Sequence, residues 1–212
     1  MFTDLRVGTH NVNGLKIAPH KLIRILQFAK DYQVDIMTIT DTNMTEVEGK
    51  FATCHIFDDS FVVHWASKAP DKMKGSGLAC VISKKWAAHF WNKTIFSPYL
   101  MAVKFLFKNF ELWVWIIYAA PSEPSLLQDS FSIIEESSKE ITPQRRLHIV
   151  VGDWNLSING FLDREPPNSA NNLTICSNLV NSNIHDVYKR LHPQERQFSW
   201  TNGQTATRID HV

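Results

Sequence analysis

The 212-residue sequence has few cysteines, almost no net charge and no long apolar run. Cys54, Cys80 and Cys176 are widely spaced and form no C-x-x-C pair, which argues against a disulfide framework or a zinc site and favours a reducing compartment. The formal net charge of +1 excludes a global positive field, so any surface for nucleic acid must be local. No signal peptide opens the sequence, and no apolar run could span a bilayer. We therefore expect a soluble, intracellular protein with no membrane partner.

Apolar residues are plentiful: they make up 44% of the chain, with 13 Phe and 7 Trp, enough for a substantial core. The length favours one domain, residues 1–212, over two. After Pro19, Leu22, Ile25, Leu26 and Ala29 recur at helical spacing and predict an amphipathic helix. Helices are also predicted at 125–141 and 172–182, and strands at 6–11, 34–39, 61–65, 77–83, 99–107, 112–118, 147–151, 198–200 and 207–212. Several strand pairs are too closely spaced for helical crossovers, which predicts an α/β fold of sheet packed on sheet with helices outside.

The tetrad Gly152-Asp153-Trp154-Asn155 follows the apolar, β-branched run at 147–151, a pattern typical of a buried strand. Its acid and its amide are two residues apart, so both side chains leave the same side of the strand end. Open α/β sheets bind their ligands beyond such carboxyl ends. By itself the tetrad fits an ordinary turn equally well, because Gly, Asp and Asn all favour turns.

Further polar side chains stand at the ends of other predicted strands, namely Asn11, Asp41, Tyr118, Asp210 and His211. A carboxylate such as Asp41 can hold Mg²⁺ through oxygen, and His211 titrates near neutrality. Neutral donors such as Asn11 and Tyr118 suit a phosphate oxygen. Each residue alone also fits a turn, a cap or a core position. The prediction of a phosphoryl-transfer site therefore depends on the whole set converging at one edge.

The joint order of five segments resembles the endonuclease/exonuclease/phosphatase superfamily. The segments are His-Asn-Val-Asn-Gly-Leu at 10–15, Asp-Ile-Met-Thr-Ile-Thr-Asp-Thr at 35–42, Gly-Ser-Gly-Leu-Ala at 75–79, the tetrad, and Thr-Arg-Ile-Asp-His at 207–211. Three further segments, Leu-Asp-Arg at 162–164, the run 186–193 and Phe-Ser-Trp at 198–200, are similar to features of endonuclease domains of LINE-type (non-LTR) retrotransposons. The resemblance covers almost the whole chain, from about Leu5 to Val212.

This resemblance implies a four-layer α-β-β-α sandwich, in which two packed mixed sheets are flanked by helices. It also implies a Mg²⁺-dependent hydrolase, with Mn²⁺ as an alternative ion, that nicks target DNA at a phosphodiester bond and leaves a 3′-hydroxyl. Such a domain is expected to be fused to, or excised from, a polyprotein that contains a reverse transcriptase. It would be nuclear if it acts on chromosomal DNA.

The resemblance assigns catalytic roles to eight residues: Asn11, Asp41, Tyr118, Asp153, Asn155, Asp186, Asp210 and His211. Asp41 belongs to the metal site, with Asn11 and Asp210 beside it. Asp153 positions or activates the attacking water, and Asn155 binds the scissile phosphate. These roles agree with the physics of phosphoryl transfer, which needs positioning and charge neutralisation more than covalent chemistry.

Tyr118 is expected to support the transition state, and His211 to stabilise its charge or to move a proton. Asp186 is the expected partner that orients the His211 ring. The residues predicted to contact DNA are Arg164, Ser199, Trp200, Asn202 and Arg208. The hairpin that carries Trp200 is the expected source of sequence selectivity.

Three departures from the family pattern carry expectations of their own. Asp41 is one methylene shorter than the family's glutamate, so we expect weakened rather than abolished metal binding. The segment Tyr-Ala-Ala-Pro at 118–121 has one residue more than the usual Tyr-Ala-Pro, which need not move Tyr118. The sequence stops at Val212, which predicts a domain trimmed at its C-terminus with a frayed His211.

Two other functions remain open from the sequence. An abasic-site endonuclease or a phosphatase of the same superfamily would use the same metal edge on a different substrate. A catalytically degenerate nucleic-acid-binding module is the second alternative, because Asp41 replaces the expected glutamate. Nicking of intact DNA, cleavage at an abasic site, and binding without any metal-stimulated cleavage would separate the three.

Overall fold

The fold is seen in a computed structural model that describes residues 4–54, 56, 59–121, 123, 125–139, 145–169, 172 and 174–212. A first sheet has the strand order β1 (Val7–Asn11), β2 (Ile36–Thr40), β4 (Leu78–Ser83), β3 (Phe61–Ala66). A second sheet has the order β12 (Asp210–His211), β8 (Arg145–Asp153), β7 (Phe110–Tyr118), β6 (Leu100–Leu106), β5 (Phe90–Ser97). Both sheets are mixed, because β1–β2 and β7–β8 are parallel whereas their other pairs are antiparallel.

A third, small sheet joins the hairpin β10 (Trp200–Thr201) and β11 (Ala206–Thr207) to β9 (Arg164–Glu165). The helices are α1 (His20–Asp31), α2 (Glu46–Cys54), α3 (Lys84–Ala87), α4 (Ser125–Lys139), α5 (Ser177–Asn181) and α6 (Val187–Leu191). Throughout the described ranges, every helix is too short or too polar to cross a membrane.

Side chains that alternate along the strands divide the core into three layers. In β4, Leu78 and Cys80 face the second sheet, whereas Ala79 and Val81 face α1 and α2. In the same way, alternate side chains of β7 lie between the two large sheets. The remaining side chains, which include Trp115, face α4. Since both faces of these strands are buried, they are apolar almost without interruption. The predicted α-β-β-α sandwich is confirmed.

Helix α1 buries the four residues that its sequence pattern selects, Leu22, Ile25, Leu26 and Ala29. They pack on the outer face of the first sheet, against residues such as Met37. Apart from 207–212, the predicted strands are also present, with ends that differ by a few residues. Ile141, the expected end of the second helix, and Leu173 in the expected third helix lie outside the described residues.

Two expectations about the C-terminal part are wrong. The stretch 172–182 is helical only from Ser177 to Asn181. The stretch 207–212 is not one strand, because it is divided between β11 in the small sheet and β12 in the second sheet. The chain changes sheet at Arg208, whose backbone N–H donates to the carbonyl of Asp163 at 2.8 Å instead of continuing a ladder.

Candidate active site

Polar ends of strands from both large sheets meet at one edge of the sandwich. In the second sheet, Tyr118 pairs with Asp153, and Asp153 pairs with Asp210 on its other side, so the three residues form a row across neighbouring strands. In the first sheet, Asn11 is the last residue of β1, and Asp41 directly follows its parallel neighbour β2. With Asn155, which is hydrogen-bonded to Asp153, the structure thus brings together six of the eight predicted catalytic residues.

The tetrad owes its shape to Gly152, which has φ +143°. A Cβ atom at this position would stand 1.9 Å from the carbonyl oxygen of Ile117, so the close approach of β7 and β8 requires glycine. Asn155 also has positive φ, at 47°, and its N–H donates to Asp153 Oδ1 at 2.9 Å. Its side-chain amide donates to the carbonyl of Ala119 at 2.8 Å. The local turn therefore fixes the acid and the amide relative to each other.

Asn11 links the two large sheets through its side-chain amide. Asn11 Nδ2 donates to Asp153 Oδ2 at 2.6 Å, and Asn11 Oδ1 accepts the backbone N–H of Asn13 at 2.8 Å. With Asn155 on the other oxygen, both carboxylate oxygens of Asp153 accept a hydrogen bond. Asp153 is only 2% exposed, so these bonds hold a buried carboxylate in one orientation.

Asp41 is buried and has a left-handed backbone, with φ 55°. Its Oδ1 accepts the backbone N–H of Gly75 at 3.0 Å, which ties the end of β2 to the loop before β4. Burial raises the pKa of the Asp41 carboxyl above its ordinary value, and the charge of Asp153 adds to this rise. Hydrogen bonds from Gly75 and Asn43 oppose it. Asp41 and Asp153 are therefore close enough to repel each other.

The third carboxylate, Asp210, is the most strained electrostatically. Burial, followed by the charge of Asp153, raises the pKa of Asp210 to about 6, and the buried Oδ1 has no hydrogen-bond partner within the described part of the chain. Burial also raises the pKa of Asp153 itself. The pKa of Tyr118 is raised by burial and by the charges of Asp41 and Asp153, so its hydroxyl stays protonated at neutral pH.

A hard cation fits this edge, because three carboxylates share it and one buried oxygen is unused. Their bonds come from amide and hydroxyl donors, with Asn11, Asn155, Gly75 and Ser199 as the sources. Among the described residues, no three His, Cys, Asp or Glu side chains are grouped so that they could hold a metal ion by themselves. This is compatible with Mg²⁺, which commonly keeps several waters and uses only one or two carboxylates.

A cleft of about 620 Å³ opens in front of the tetrad. Asn11, Asp153 and Asn155 line one side of it. The other side contains three of the predicted DNA contacts, Arg164, Trp200 and Asn202. Trp200 is 45% exposed despite its size.

Similarity to solved structures agrees with this geometry. The 3′-5′ exonuclease NExo from Neisseria meningitidis is 14% identical with TM-score 0.72, over 97% of this chain and 84% of that one. The AP endonuclease LMAP from Leishmania major is 13% identical with TM-score 0.74, over 98% and 78%. The endonuclease domain of TRAS1, a telomere-specific non-LTR retrotransposon, is 15% identical with TM-score 0.65, over 98% and 85%. The chain has the endonuclease/exonuclease/phosphatase fold. No protein-family model and no curated protein matches the sequence.

His211 is placed differently from the frayed end expected from the sequence. It belongs to β12, is 1% exposed, and stacks on the Trp154 ring with centroids 4.5 Å apart. Its Nε2 lies 2.9 Å from the carbonyl oxygen of Leu156, and its Nδ1 lies 3.8 Å from Asp186 Oδ2. His211 does not line the cleft, but it pairs with Gly152 of the tetrad and contacts Leu156, which lines the cleft.

Asp186, the expected partner of His211, begins α6 and caps it, because its Oδ1 accepts the N–H of Lys189 at 3.0 Å. Burial alone would raise the pKa of Asp186, but contacts with His211 and Arg208 hold it well below its usual value. The structure thus keeps Asp186 charged and beside the His211 ring.

Two predicted DNA contacts do not line the cleft of this endonuclease/exonuclease/phosphatase fold. Ser199 Oγ accepts the backbone N–H groups of Ile209 and Asp210, both at 3.1 Å, so it fastens the hairpin to β12. Arg208 is 5% exposed, and its guanidinium is paired with Asp163 and Asp186. The buried and doubly paired Arg208 suits support of the site better than contact with DNA, whereas Ser199 is exposed.

Two of the three departures from the superfamily pattern, at Asp41 and after Tyr118, are accommodated locally. The extra residue after Tyr118 does not displace it, since Tyr118 remains paired with Asp153 and Ala119 N–H donates to the Asp153 carbonyl at 2.9 Å. Asp41 has the left-handed conformation, which short polar side chains tolerate better than longer ones.

Three residues of this region were not assigned a role from the sequence. Asp163 is fully buried, and its place in the Leu-Asp-Arg segment at 162–164 was the signal that could have identified it. Asn168 and Asn172 line the cleft opposite the hairpin. No sequence signal indicates the two asparagines, because amides in a loop are ordinary turn residues.

Proposed function

We propose that this protein is a Mg²⁺-dependent DNA endonuclease that hydrolyses a phosphodiester bond and leaves a 3′-hydroxyl. The observation that carries this proposal is the cleft itself. It combines the acid and amides suited to phosphoryl transfer with an arginine and a half-exposed tryptophan suited to a nucleic acid. Among the structural neighbours, NExo, LMAP and TRAS1 are each described as a nuclease, which supports the same class of reaction.

Asp153 is the proposed group that orients the attacking water and accepts its proton. Its two hydrogen bonds, from Asn11 and Asn155, fix the direction of the carboxylate. The water oxygen forms a bond to phosphorus while the bond to the 3′ oxygen breaks, and the leaving oxygen takes up a proton to become the 3′-hydroxyl. Positioning of this kind contributes much of the rate in phosphoryl transfer.

Neutral donors are proposed to stabilise the charge that develops on the phosphate. The Asn155 amide has a second N–H beyond the one bonded to Ala119, and the raised pKa of Tyr118 keeps its hydroxyl a donor. His211 acts from the Trp154 side of the tetrad, where its ring stacks on Trp154 and lies beside Asp186. A bound Mg²⁺, or Mn²⁺ in its place, would supply positive charge at this edge, held by Asp41 and Asp210 with Asn11 beside them.

The decisive experiment incubates supercoiled plasmid with the protein in Mg²⁺ or in EDTA. Conversion to the open circle in Mg²⁺ alone is the expected result, and an Asp153→Asn variant should remain inactive. A duplex with one abasic site and an assay for inorganic phosphate are run in parallel. Cleavage confined to the abasic duplex, or phosphate release alone, would replace the proposed substrate by that of the first alternative, which the likeness to LMAP, an AP endonuclease, and to NExo, described as a 3′ phosphatase, favours.

A degenerate binding module is the second alternative, and Asp41 is the observation behind it. The carboxylate is present, buried and close to Asp153, so the edge keeps the charge that a cation requires. DNA binding without cleavage in either Mg²⁺ or Mn²⁺ would favour this alternative.

The proposed biological role is the first nick in target-primed integration of a retrotransposon. It is supported by the LINE-type motifs and by the likeness to TRAS1, described as a telomere-specific non-LTR retrotransposon. In this role the domain belongs to a polyprotein with a reverse transcriptase and acts in the nucleus. The test supplies a polymerase and nucleotides to DNA that the protein has nicked. Ends that require phosphatase treatment before extension would exclude the priming role.

A further inference from the structure

A chain of buried ions connects the cleft wall to His211. Asp163 is fully buried and Arg208 is 5% exposed, and the Arg208 Nε donates to Asp163 Oδ1 at 3.1 Å. The same guanidinium donates to both oxygens of Asp186, which in turn lies 3.8 Å from His211 Nδ1. Lys189 adds a second cation, 3.1 Å from Asp163 Oδ1.

Each end of the Asp163–Arg208 pair is the sequence neighbour of a residue that lines the cleft. Arg164 follows Asp163, Thr207 precedes Arg208, and both line the cleft. Arg164 and Thr207 are also paired with each other across β9 and β11. The Asp163–Arg208 ion pair therefore lies next to Arg164 and Thr207, which are paired across β9 and β11 and line the cleft.

Asp163 also fixes the loop that follows the tetrad. Asp163 Oδ2 accepts the backbone N–H of Asn159 at 2.9 Å, and Asp163 N–H donates to the Asn159 carbonyl at 2.7 Å. The buried Asp163 carboxylate thus contacts three parts of the chain. It binds the loop after the tetrad at Asn159 and the guanidinium of Arg208, where the chain changes sheet. It also binds Lys189 of helix α6, the helix that Asp186 caps.

A guanidinium group suits the orientation of two carboxylates better than an ammonium group does. Arginine presents a planar fork that can bind two carboxylates in fixed directions, whereas lysine is a point charge on a flexible stem. Asp186 has both oxygens engaged by Arg208 and one also by the N–H of Lys189, so its carboxylate is presented to His211 in a single orientation.

We propose that Arg208 and Asp163 are positioning residues of the proposed nuclease, which set the orientation of Asp186 and His211. This proposal rests on the proposed function. Arg208 then supports the site from inside the protein, whereas the sequence predicts that it contacts DNA. Because the ions touch neither cleft nor substrate, their effect on the reaction passes through His211.

The test compares Arg208→Lys with His211→Gln and with the double variant, in steady-state nicking of a plasmid. Arg208→Lys keeps the charge but loses the fork, so kcat should fall about 10- to 100-fold while KM changes less than about threefold. His211→Gln retains a donor that can reach the Leu156 carbonyl. In the His211→Gln background, adding Arg208→Lys should lower kcat by no more than about twofold, because residues that act as one unit are not additive.

The matched control is Arg146→Lys, which alters another arginine paired with a carboxylate, Glu111 at 3.2 Å, near the opposite end of β8. Its kcat should equal that of the wild type. Asp163→Asn serves as a second variant should Arg208→Lys not fold by circular dichroism, and it should lower kcat with the same dependence on His211.

These variants distinguish failure of the positioning role from failure of the proposed function. Full nicking by His211→Gln would overturn the assignment of the site. Loss of nicking in His211→Gln, with an unchanged kcat in folded Arg208→Lys, would overturn the positioning role alone. Losses that multiply in the double variant would also overturn it, because they would indicate a general structural role.

Discussion

The sheet edge with Asp153 and the hairpin with Trp200 face the same cleft, but they are held in place by different means. Asp153 is 2% exposed and is locked by two hydrogen bonds within paired strands of the large sheets. Trp200 is 45% exposed on a strand of two residues in the small sheet. A buried edge suits chemistry, which needs fixed directions, whereas an exposed wall suits recognition, which needs a surface that can adapt.

Asp153→Asn should have the largest effect on activity, because it removes the proton acceptor at the fixed edge. We expect the nicking rate to fall about 10²- to 10⁴-fold, the range for loss of a general base. The melting temperature should fall by a few degrees, because the asparagine amide can accept only one of the two hydrogen bonds that Asn11 and Asn155 donate to the buried carboxylate. Plasmid nicking and circular dichroism of the same preparation check both statements, and a rate within threefold of the wild type would contradict the assignment.

The same glycine-to-alanine change should cost more at the edge than at the hairpin. Gly152 and Gly203 both have positive φ, at 143° and 87°, but a Cβ meets the Ile117 carbonyl only at Gly152 and open space at Gly203. Gly203→Ala should lose about 1 kcal/mol of unfolding free energy from backbone strain. Gly152→Ala should lose about 3 kcal/mol more, since β7 and β8 must separate. Equal losses in urea denaturation would contradict the steric argument.

The elements that could be predicted from the sequence are those whose apolar residues recur at regular spacing. The convergence of the edge could be predicted, because parallel strands end on the same side and their polar ends stand out against apolar runs. Helix α2 and strand β5 could not. Only Gly49 is buried in α2, while β5 is an edge strand with two register irregularities and an exposed Trp91. Neither pattern has the regular burial that a periodicity argument detects.

The roles of individual ions were also hidden from the sequence. Arg208 resembles any basic residue near a cleft until Asp163 and Asp186, 45 and 22 residues away, are known to surround it. The same holds for His211, whose burial depends on the ring of Trp154. Pairing between distant loops is decided by the tertiary fold, so local composition cannot reveal it.

Asp210→Asn should stabilise the metal-free protein at neutral pH. The Asp210 pKa is raised to about 6 from 3.8, so between these values the folded protein holds a proton that the unfolded chain has lost, and stability falls as pH rises. Asparagine removes that charge and should add about 2 kcal/mol at pH 7 in EDTA. The gain should disappear below about pH 3, where both states of the wild type are protonated. A gain independent of pH in urea denaturation would contradict this account, and nicking should be lost at every pH.

Trp200→Ala should weaken DNA binding without altering the chemical step, because it changes the wall but not the edge. Loss of one stacking platform costs about 1–3 kcal/mol of binding free energy. The control is Trp91→Ala, which removes a tryptophan that is 66% exposed on β5. KM should rise for Trp200→Ala alone, with kcat within about twofold of the wild type. An equal rise in KM for Trp91→Ala would indicate nonspecific adhesion to DNA. A lower kcat in Trp200→Ala would show that the hairpin also affects the chemical step at the sheet edge with Asp153.

Asp41→Glu should have the smallest effect, since it keeps the carboxylate at the edge and changes only its reach. The left-handed backbone at φ 55° and the Gly75 hydrogen bond both suit the shorter acid, so we expect a loss of about 1 kcal/mol of unfolding free energy. Asn183→Gln, which adds a methylene at another residue of φ 58°, gives the backbone contribution away from the site. Mg²⁺-dependent nicking should be preserved or raised in Asp41→Glu, whereas Asp41→Ala should need more Mg²⁺ for half-maximal rate. A metal titration that is unchanged in Asp41→Ala would make Asp41 a turn residue, and the cation would then depend on Asp210 and Asp153.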